Sequence, residues 1–351
     1  MFLWGFGESM FLIFQPLYIQ QLGAAPILIG TILGLNGLVM TLSQIPSGLL
    51  ADKIGRRPLI WFSFFAGVVA TWIMALAPAL PMFVVGLFLY GFTSSVMAPL
   101  NTYVQAARGS WSVGRSITFI SAMYNAGMIM GPIVGGIISS NMNLRAIYHV
   151  AAIIFTLSSV VVAFLRKQPV EQNSGHDRDE HLFKNRRFIG LSLIILVSMF
   201  AVTLPQPLAA NFLQNNRNLN FNQIGRLGAV NALGSVLLML VFGHVPSGIA
   251  ILIGQVCVLL FAVLLWRGNN TILFGIAYFF LGGYKLSRAM TVALVRPVVR
   301  VWEIGLAFGV VETLNSLALM LAPVVAGYLY DWQPASIFKV GAGAILLSSI
   351  F

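Results

Sequence analysis

The fold class is decided by an uncharged apolar stretch, Ile249–Trp266, which reads IAILIGQVCVLLFAVLLW. A run of about 18 such residues predicts a transmembrane helix. A second run, Phe188–Ala201, has the same character. Neither run alternates polar and apolar residues as a barrel strand does, and only helices and closed barrels satisfy every backbone polar group in lipid. The sequence therefore predicts an all-α integral membrane protein.

The composition of the whole chain predicts the same class. Of its 351 residues, 58% are apolar and 8% are charged, whereas soluble domains are about 45–50% apolar and about 25% charged. This composition excludes a soluble fold. Because a span needs about 20 residues, a chain of this length with short loops holds about twelve spans. The apolar runs reach Met1 and Phe351, so we expect both ends to be clipped.

One long polar segment, residues 166–187, divides the chain into two halves of six predicted helices each. Its mixed charges and lack of apolar periodicity predict a solvated cytoplasmic linker. The halves are then an N-terminal bundle at 1–165 and a C-terminal bundle at 188–351. The predicted spans are 1–21, 26–50, 58–78, 81–106, 114–139, 144–165, 188–212, 223–243, 249–266, 271–294, 302–329 and 335–351.

The net charge of +11 reflects 20 basic against 9 acidic residues. The basic residues lie at predicted helix ends and in the linker, so membrane topology explains them better than nucleic-acid binding does. If the first helix runs outward, 13 basic residues lie inside and five outside. This bias predicts a multi-pass protein of the plasma or inner membrane with both termini in the cytoplasm. The five outer residues are Arg145, Arg217, Arg226, Arg267 and Lys339.

The two halves also repeat each other, at an offset of 191 residues for three pairs of positions and of 195 for Leu35-Asn36-Gly37 with Val230-Asn231-Ala232. Two parallel six-helix repeats are a transporter architecture, in which the substrate site lies near the midplane between the repeats. The matched positions are Gln15-Pro16 with Gln206-Pro207, Gly131-Pro132 with Ala322-Pro323, and Gly114 with Gly305.

The loop between predicted helices 2 and 3 carries the most specific motif, GLLADKIGRRP at residues 48–58. Gly48 and Gly55 permit a tight turn, and Asp52 can accept hydrogen bonds from a neighbouring helix N-terminus. The loop resembles the signature loop of the major facilitator superfamily, G-x-L-a-D-r-x-G-r-r. The matching positions are Gly48, Leu50, Ala51, Asp52, Lys53, Gly55, Arg56 and Arg57.

The resemblance implies two bundles that rock around a central cavity lined mainly by helices 1, 4, 7 and 10. It also implies that this loop latches the halves together in the outward-open state. We therefore expect Asp52 near the start of helix 11, with Arg56 or Arg57 within reach of Glu303. The corresponding loop at 243–248 lacks the acid and the basic pair, so the latch is one-sided.

Predicted helix 5 carries closely spaced glycines, which let two helices approach each other, and a proline that bends the helix. The pattern is a packing face and also resembles the helix-5 motif G-x-x-x-G-P-x-x-G-G of drug–proton antiporters. That resemblance favours efflux, although related patterns occur in other members. Its residues are Gly127, Gly131, Pro132, Gly135 and Gly136. In helix 4, Leu87 stands where many proton-coupled members carry an arginine, which excludes coupling through that arginine.

Ionisable residues inside spans are functional candidates by default. Glu8 lies in predicted helix 1, and Gln15 is expected on the same helix face. Burial disfavours the charged carboxylate, so Glu8 is a candidate for carrying a coupling proton or binding a cationic substrate. The alternative is a structural hydrogen bond. The repeat places Met199 at the matching position, so the fold does not require an acid there.

The second half offers further candidates on predicted helices 10 and 11. Lys285 and Arg288 suit an anionic substrate, or else extend to the cytoplasmic interface. Glu312 is a second proton-coupling candidate and is expected to pair with one of them. Neutral polar residues on cavity helices are substrate contacts or packing hydrogen bonds. They are Asn101, Gln105 and Gln206, beside Gln15.

The sequence contains no nucleotide-binding loop, paired-histidine metal site or nucleophile elbow, so we expect no cofactor, metal or catalytic residue. The leading interpretation is a monomeric secondary transporter that exports a small organic or amphiphilic solute in exchange for protons. A sugar or metabolite carrier of the same family is the alternative. A non-transporting sensor or a membrane enzyme on the same scaffold is a further reading, and no polar catalytic cluster favours the enzyme.

Overall fold

The structure is a computed structural model that describes residues 1–107, 109–165, 182, 185–300 and 303–350, without the side chains of 45–54, 97, 98, 101, 102, 105, 113, 114, 304 and 305. Over these residues the regular structure is helical. The α-helices are α1 (Phe2–Leu12), α2 (Gln15–Gln21), α3 (Pro26–Ile54), α4 (Arg56–Leu76), α5 (Leu80–Gly91), α6 (Met97–Ala107), α7 (Val113–Asn141), α8 (Leu144–Ala163), α9 (Arg186–Thr203), α10 (Ala209–Arg217), α11 (Phe221–Phe242), α12 (Ser247–Arg267), α13 (Thr271–Leu281), α14 (Gly283–Val295), α15 (Ile304–Trp332) and α16 (Ser336–Ser348).

Eight helices within the described ranges are long and apolar enough to cross a membrane. Two shorter apolar helices, Leu80–Val96 and Ser336–Ser348, accompany them. Large apolar side chains are widely exposed, including Phe164 at 81% and Ile272 at 76%. Such a surface is unfavourable in water and suits lipid. The all-helical membrane fold is confirmed, while the count of twelve spans stays a prediction.

Four predicted spans contain a helix break that the sequence did not predict. The first breaks after Leu12, and Pro16 lies in the first turn of the helix that follows. Prolines and glycines remove or weaken the helical hydrogen bonds at such breaks. The breaks divide α1 from α2, α5 from α6 through a 3-10 turn at Phe92–Val96, α9 from α10 through residues 204–208, and α13 from α14 at Gly282.

The chain forms two compact units. Unit 1 contains residues 1–24, 35–175 and 220–229, and unit 2 contains residues 25–34, 176–219 and 230–351. Each is therefore built mainly from one predicted half and includes one short segment of the other. The predicted bundle boundaries stay a prediction, because most of the predicted linker, 166–187, lies outside the described residues.

An aromatic cluster forms the core of unit 1. The Trp4 ring lies 4.4 Å from that of Phe155 and 4.5 Å from that of Phe64. Phe11 stacks on Tyr148 at 5.3 Å, and both side chains are fully buried. Because Trp4 and Phe11 both lie on α1, these ring contacts fix that helix against α4 and α8.

Unit 2 has an equivalent core centred on α12. Phe261 contacts the rings of Tyr278 at 5.5 Å and Phe338 at 6.4 Å. Asn270 caps the N-terminus of α13 by accepting a hydrogen bond from the Leu273 amide at 2.8 Å, which satisfies one backbone donor left free at the helix start. The ring contacts of Phe261 hold α12 against α13 and α16.

Candidate functional site

The glycines of α7 lie directly against α1. A Cβ added to Gly131 would lie 2.5 Å from the Phe6 carbonyl oxygen, and one added to Gly127 would also overlap the α1 backbone. Ser9 bridges the two helices, because its hydroxyl donates to the Gly127 carbonyl at 3.2 Å as well as to Gly5 in its own helix. Small residues thus let the two backbones approach each other.

The remaining positions of this motif face two helices. A Cβ on Gly135 would overlap the Met10 carbonyl of α1. A Cβ on Gly136 would lie 3.0 Å from the Phe221 carbonyl, and Pro132 faces Gly225 and so contacts the start of α11. The motif predicted as a packing face therefore packs against α1 on one side and α11 on the other, all within unit 1.

This close packing brings Tyr124 of α7 to Glu8 of α1. The Tyr124 hydroxyl donates a hydrogen bond of 2.8 Å to Glu8 Oε2. Tyr124 lies one turn before Gly127 on the face that contacts α1, and a Cβ on Gly5 would overlap its backbone oxygen. The sequence analysis did not identify Tyr124, since a tyrosine among many aromatic residues gives no signal of its own.

A second tyrosine hydroxyl lies near the same carboxylate. Tyr90, 6% exposed, interacts electrostatically with Glu8. Its hydroxyl is buried and has no partner of good hydrogen-bond geometry among the described residues. A buried hydroxyl without such a partner is unfavourable. Glu8 is thus held by one tyrosine donor, with a second donor close by.

The expected alignment of Gln15 with Glu8 on one helix face stays a prediction. Helix α1 ends at Leu12 and Gln15 begins α2, with Ile13 and Phe14 between them. Leu12 is 46% exposed, whereas Gln15, at the first position of α2, is 5% exposed. No hydrogen bond joins Gln15 to Glu8 among the side chains described.

In unit 2, Arg288 of α14 forms an ion pair with Glu312 of α15. The Arg288 Nη2 atom lies 3.2 Å from Glu312 Oε2, and the two side chains are 35% and 41% exposed. Arg288 also interacts with the Tyr284 hydroxyl one turn earlier in its helix. Glu312 therefore has one of the two partners that were expected, and Tyr284 is a neighbour that the sequence analysis missed.

One turn further along the same helices lies a buried polar contact. Asn315, 2% exposed, donates through Nδ2 to the Thr291 hydroxyl at 3.2 Å. The Asn315 Oδ1 atom is buried and has no hydrogen-bond partner among the described residues. This free acceptor lies next to the Arg288–Glu312 pair and is available to a donor.

The remaining predicted substrate contacts are described only in part. Lys285 lies in α14, partly exposed. Gln206 lies in the break between α9 and α10, and its amide donates to the Val202 carbonyl at 2.5 Å, so it satisfies its own broken helix. The side chains of Asn101 and Gln105 lie outside the described residues. Within the described part of the chain, no three His, Cys, Asp or Glu side chains form a metal site.

The predicted latch is described only in part. Gly55 begins α4 with φ of 87°, a conformation that favours glycine. The guanidinium of Arg57 lies 4.0 Å from the Trp61 ring, and Arg56 has an interaction partner. Glu303, 6% exposed, accepts a hydrogen bond from the Arg300 amide at 3.1 Å. Gly48 and the Asp52 side chain lie outside the described set, so the latch stays a prediction.

Comparison with known proteins identifies the family of this architecture. A sequence model described as the Major Facilitator Superfamily matches residues 1–203. An uncharacterized MFS-type transporter of Methanocaldococcus jannaschii is 23% identical over 94% of this chain and 91% of its own length. The inner membrane transport protein YajR of Escherichia coli is 25% identical over 91% of this chain and 73% of its own.

Two further similarities concern a resistance protein and a fold. The class C tetracycline resistance protein of Escherichia coli is 28% identical over 40% of this chain and 35% of its own length. The crystal structure of the nucleoside transporter NupG superposes with a TM-score of 0.85, covering 99% of this chain and 95% of that one, at 15% identity. At that identity the superposition shows a shared fold alone.

Proposed function

The chain belongs to the major facilitator superfamily of membrane transporters, and from this premise we propose that it exports a small organic or amphiphilic solute in exchange for protons. The observation that carries the proposal is the hydrogen bond between Tyr124 and Glu8. The carboxylate of Glu8, which accepts this hydrogen bond, can change its protonation state inside a span. The helix-5 glycine motif and the similarity to a tetracycline resistance protein support efflux.

Glu8 lies in the apolar helix α1 and accepts a hydrogen bond from the Tyr124 hydroxyl. In the proposed cycle, this carboxyl group takes up or releases a proton when its access to water changes. When the cavity opens towards the cytoplasm, Glu8 releases its proton to water and the carboxylate is free to attract a cationic solute. When the cavity opens outward, a proton replaces the solute.

The Arg288–Glu312 pair supports a wetted cavity beside α14 and α15. Both side chains keep more than a third of their surface exposed, although both belong to apolar helices of the membrane fold. Exposure of charged groups to hydrocarbon is costly, so water must reach this surface. Glu312 is the second candidate for proton coupling, and Lys285 is a candidate for a solute contact.

The rest of the transporter follows the family pattern. We propose twelve spans in two bundles, both termini in the cytoplasm, an inner-membrane location and a monomeric protein. We also propose that Asp52, with Arg56 or Arg57, latches onto Glu303 at the start of α15. The breaks in α1–α2, α5–α6, α9–α10 and α13–α14 support this assignment, because discontinuous helices surround the substrate sites of many transporters.

The test is flux in proteoliposomes that contain the purified protein and the fluorescent amphiphilic cation ethidium. With a proton gradient directed against its movement, wild type should accumulate ethidium, and Glu8→Gln should not. Tyr124→Phe should retain part of the activity, because only the donor to Glu8 is lost. Asp331→Asn, which removes an exposed carboxylate at the far end of α15, is the matched control and should behave as wild type.

Two outcomes would contradict the proposal in different ways. Gradient-driven accumulation by Glu8→Gln at the wild-type level would make Glu8 structural and leave Glu312 as the coupling residue. Wild-type flux that is independent of the proton gradient, for ethidium and for a neutral amphiphile alike, would exclude proton-coupled efflux of this solute class.

A further inference from the structure

Two basic side chains of unit 2 lie over one indole ring, and a third donates a hydrogen bond to the backbone of the same tryptophan while its guanidinium lies 5.2 Å from the Phe212 ring. Arg267, the last residue of α12, places its guanidinium carbon 4.5 Å from the centre of the Trp266 ring. The Lys339 ammonium of α16 lies 5.6 Å from the centre of the same ring. Arg217, the last residue of α10, donates through Nη2 to the Trp266 carbonyl at 2.9 Å. We call Trp266 and these three basic residues the Trp266 cluster.

Within the described residues, no carboxylate neutralises the Trp266 cluster, and none of its three cations forms an ion pair. Lys339 donates to the neutral Gln333 side chain at 3.2 Å. The Nε atom of Arg217 is buried and has no hydrogen-bond partner in the described structure. Three positive charges without a counter-ion repel each other, so the cluster is arranged for an anion that the described part of the chain does not provide.

The position of the cluster makes this accumulation of charge unusual. Lysines and arginines are enriched at the cytoplasmic side of membrane proteins, yet the expected topology places all three on the outer side. They are three of the five basic residues expected there. The enrichment of basic residues on the cytoplasmic side therefore does not explain why these three cations lie together, whereas a bound anionic ligand does.

An exposed apolar stripe leads from the cluster along α12. Val263, Leu260, Val256 and Leu252 are 37%, 38%, 52% and 44% exposed. Counted from Arg267 towards Leu252, successive residues of this series are four, three, four and four positions apart, which places them on one helix face. The stripe is about 22 Å long and exceeds the hydrocarbon thickness of one leaflet, about 15 Å. A cationic end and an apolar face thus lie on the same surface.

We propose that the Trp266 cluster binds the phosphate of an anionic phospholipid, whose acyl chain lies along the α12 stripe. Phosphate oxygens accept several charge-assisted hydrogen bonds at once, and arginine and lysine side chains are suitable donors. Tryptophan is enriched at the headgroup level of membranes. A lipid rather than free phosphate is the ligand because the cations adjoin a surface that only hydrocarbon covers. The site is independent of the proposed transport function.

Native mass spectrometry of the detergent-purified protein tests the site. The probes are dioleoyl phosphatidylglycerol, dioleoyl phosphatidylcholine and inorganic phosphate. Wild type should bind phosphatidylglycerol at least tenfold more tightly than phosphatidylcholine. The double variant Arg267→Gln/Lys339→Gln should lose about fivefold in phosphatidylglycerol affinity for each cation removed, with phosphatidylcholine binding unchanged. Arg226→Gln removes an outer cation of unit 1 and should leave both affinities unchanged.

A charge-preserving variant tests whether misfolding, and not the lost charge, weakens lipid binding. Arg267→Lys/Lys339→Arg should retain the preference for phosphatidylglycerol and the thermal midpoint of wild type. Equal affinities of wild type for the two lipids would overturn the proposal, and so would an unchanged preference in the double glutamine variant. Complete displacement of phosphatidylglycerol by millimolar inorganic phosphate would show a free-anion site and would also overturn it.

Discussion

The contact between α7 and α1 gives a quantitative prediction for Gly131→Ala. The new Cβ would lie 2.5 Å from the Phe6 carbonyl oxygen and 2.9 Å from the Met10 amide nitrogen. Both are backbone atoms of α1 and cannot rotate away as a side chain would. Restoring ordinary contact distances requires the helices to separate by about 1 Å, and such overpacking costs about 1–3 kcal/mol. The gain from replacing a helical glycine by alanine offsets only about 0.5–1 kcal/mol of this.

The matched control is Gly275→Ala in α13, where a new Cβ meets no atom within 4 Å. That substitution should stabilise the protein by about 0.5–1 kcal/mol through helix propensity alone. Reversible unfolding in mixed micelles measures both free energies, and thermal midpoints in a single detergent check their order. If Gly131→Ala is as stable as Gly275→Ala, the close packing of α7 on α1 is wrong.

Two further predictions concern charge and backbone conformation. Neutralising Arg288 or Glu312 alone should destabilise the protein. A double-mutant cycle with both residues replaced by Gln should give a coupling energy on the order of 1 kcal/mol, because the pair is more than a third exposed. A coupling energy near zero in the same unfolding assay would show that the pair does not contribute to stability. Gly55→Ala should lower stability by about 1–2 kcal/mol, since φ of 87° is unfavourable for a residue with a Cβ. The control Gly190→Ala has open space around the new Cβ and should not lower stability. Equal stabilities of the two variants would contradict the positive φ at Gly55.

Apolar runs predicted much of the fold. Predicted spans 58–78, 114–139 and 144–165 lie within two residues of α4 (Arg56–Leu76), α7 (Val113–Asn141) and α8 (Leu144–Ala163) at either end. Long uncharged runs define such helices because lipid tolerates little else. The helix breaks were missed, since hydropathy averages over a window and does not respond to backbone geometry. Pro205, Pro207 and Gly282-Gly283 are the local signals that mark two of them.

The candidate site was predictable only one residue at a time. An acidic residue in an apolar helix is a functional candidate from the sequence alone, and Glu8 was predicted in that way. Its partner Tyr124 is 116 positions away in the chain, and nothing in the spacing of either helix connects them. For the same reason the sequence indicated only that Glu312 would pair with Lys285 or Arg288, and the structure was needed to choose Arg288.

The glycine motif and the Glu8 site occupy one helix interface, which links the packing of the fold to its chemistry. Gly127 and Gly131 allow α7 to approach α1 closely enough for Tyr124 to reach Glu8 at 2.8 Å. A Cβ at Gly131 that separates the helices by about 1 Å would lengthen this hydrogen bond beyond the range in which it is strong. Gly131→Ala should therefore weaken both stability and proton coupling, whereas Tyr124→Phe keeps the glycine contacts and should affect coupling alone. The two variants distinguish a motif that only packs helices from one that also holds Glu8, the proposed proton carrier, in place.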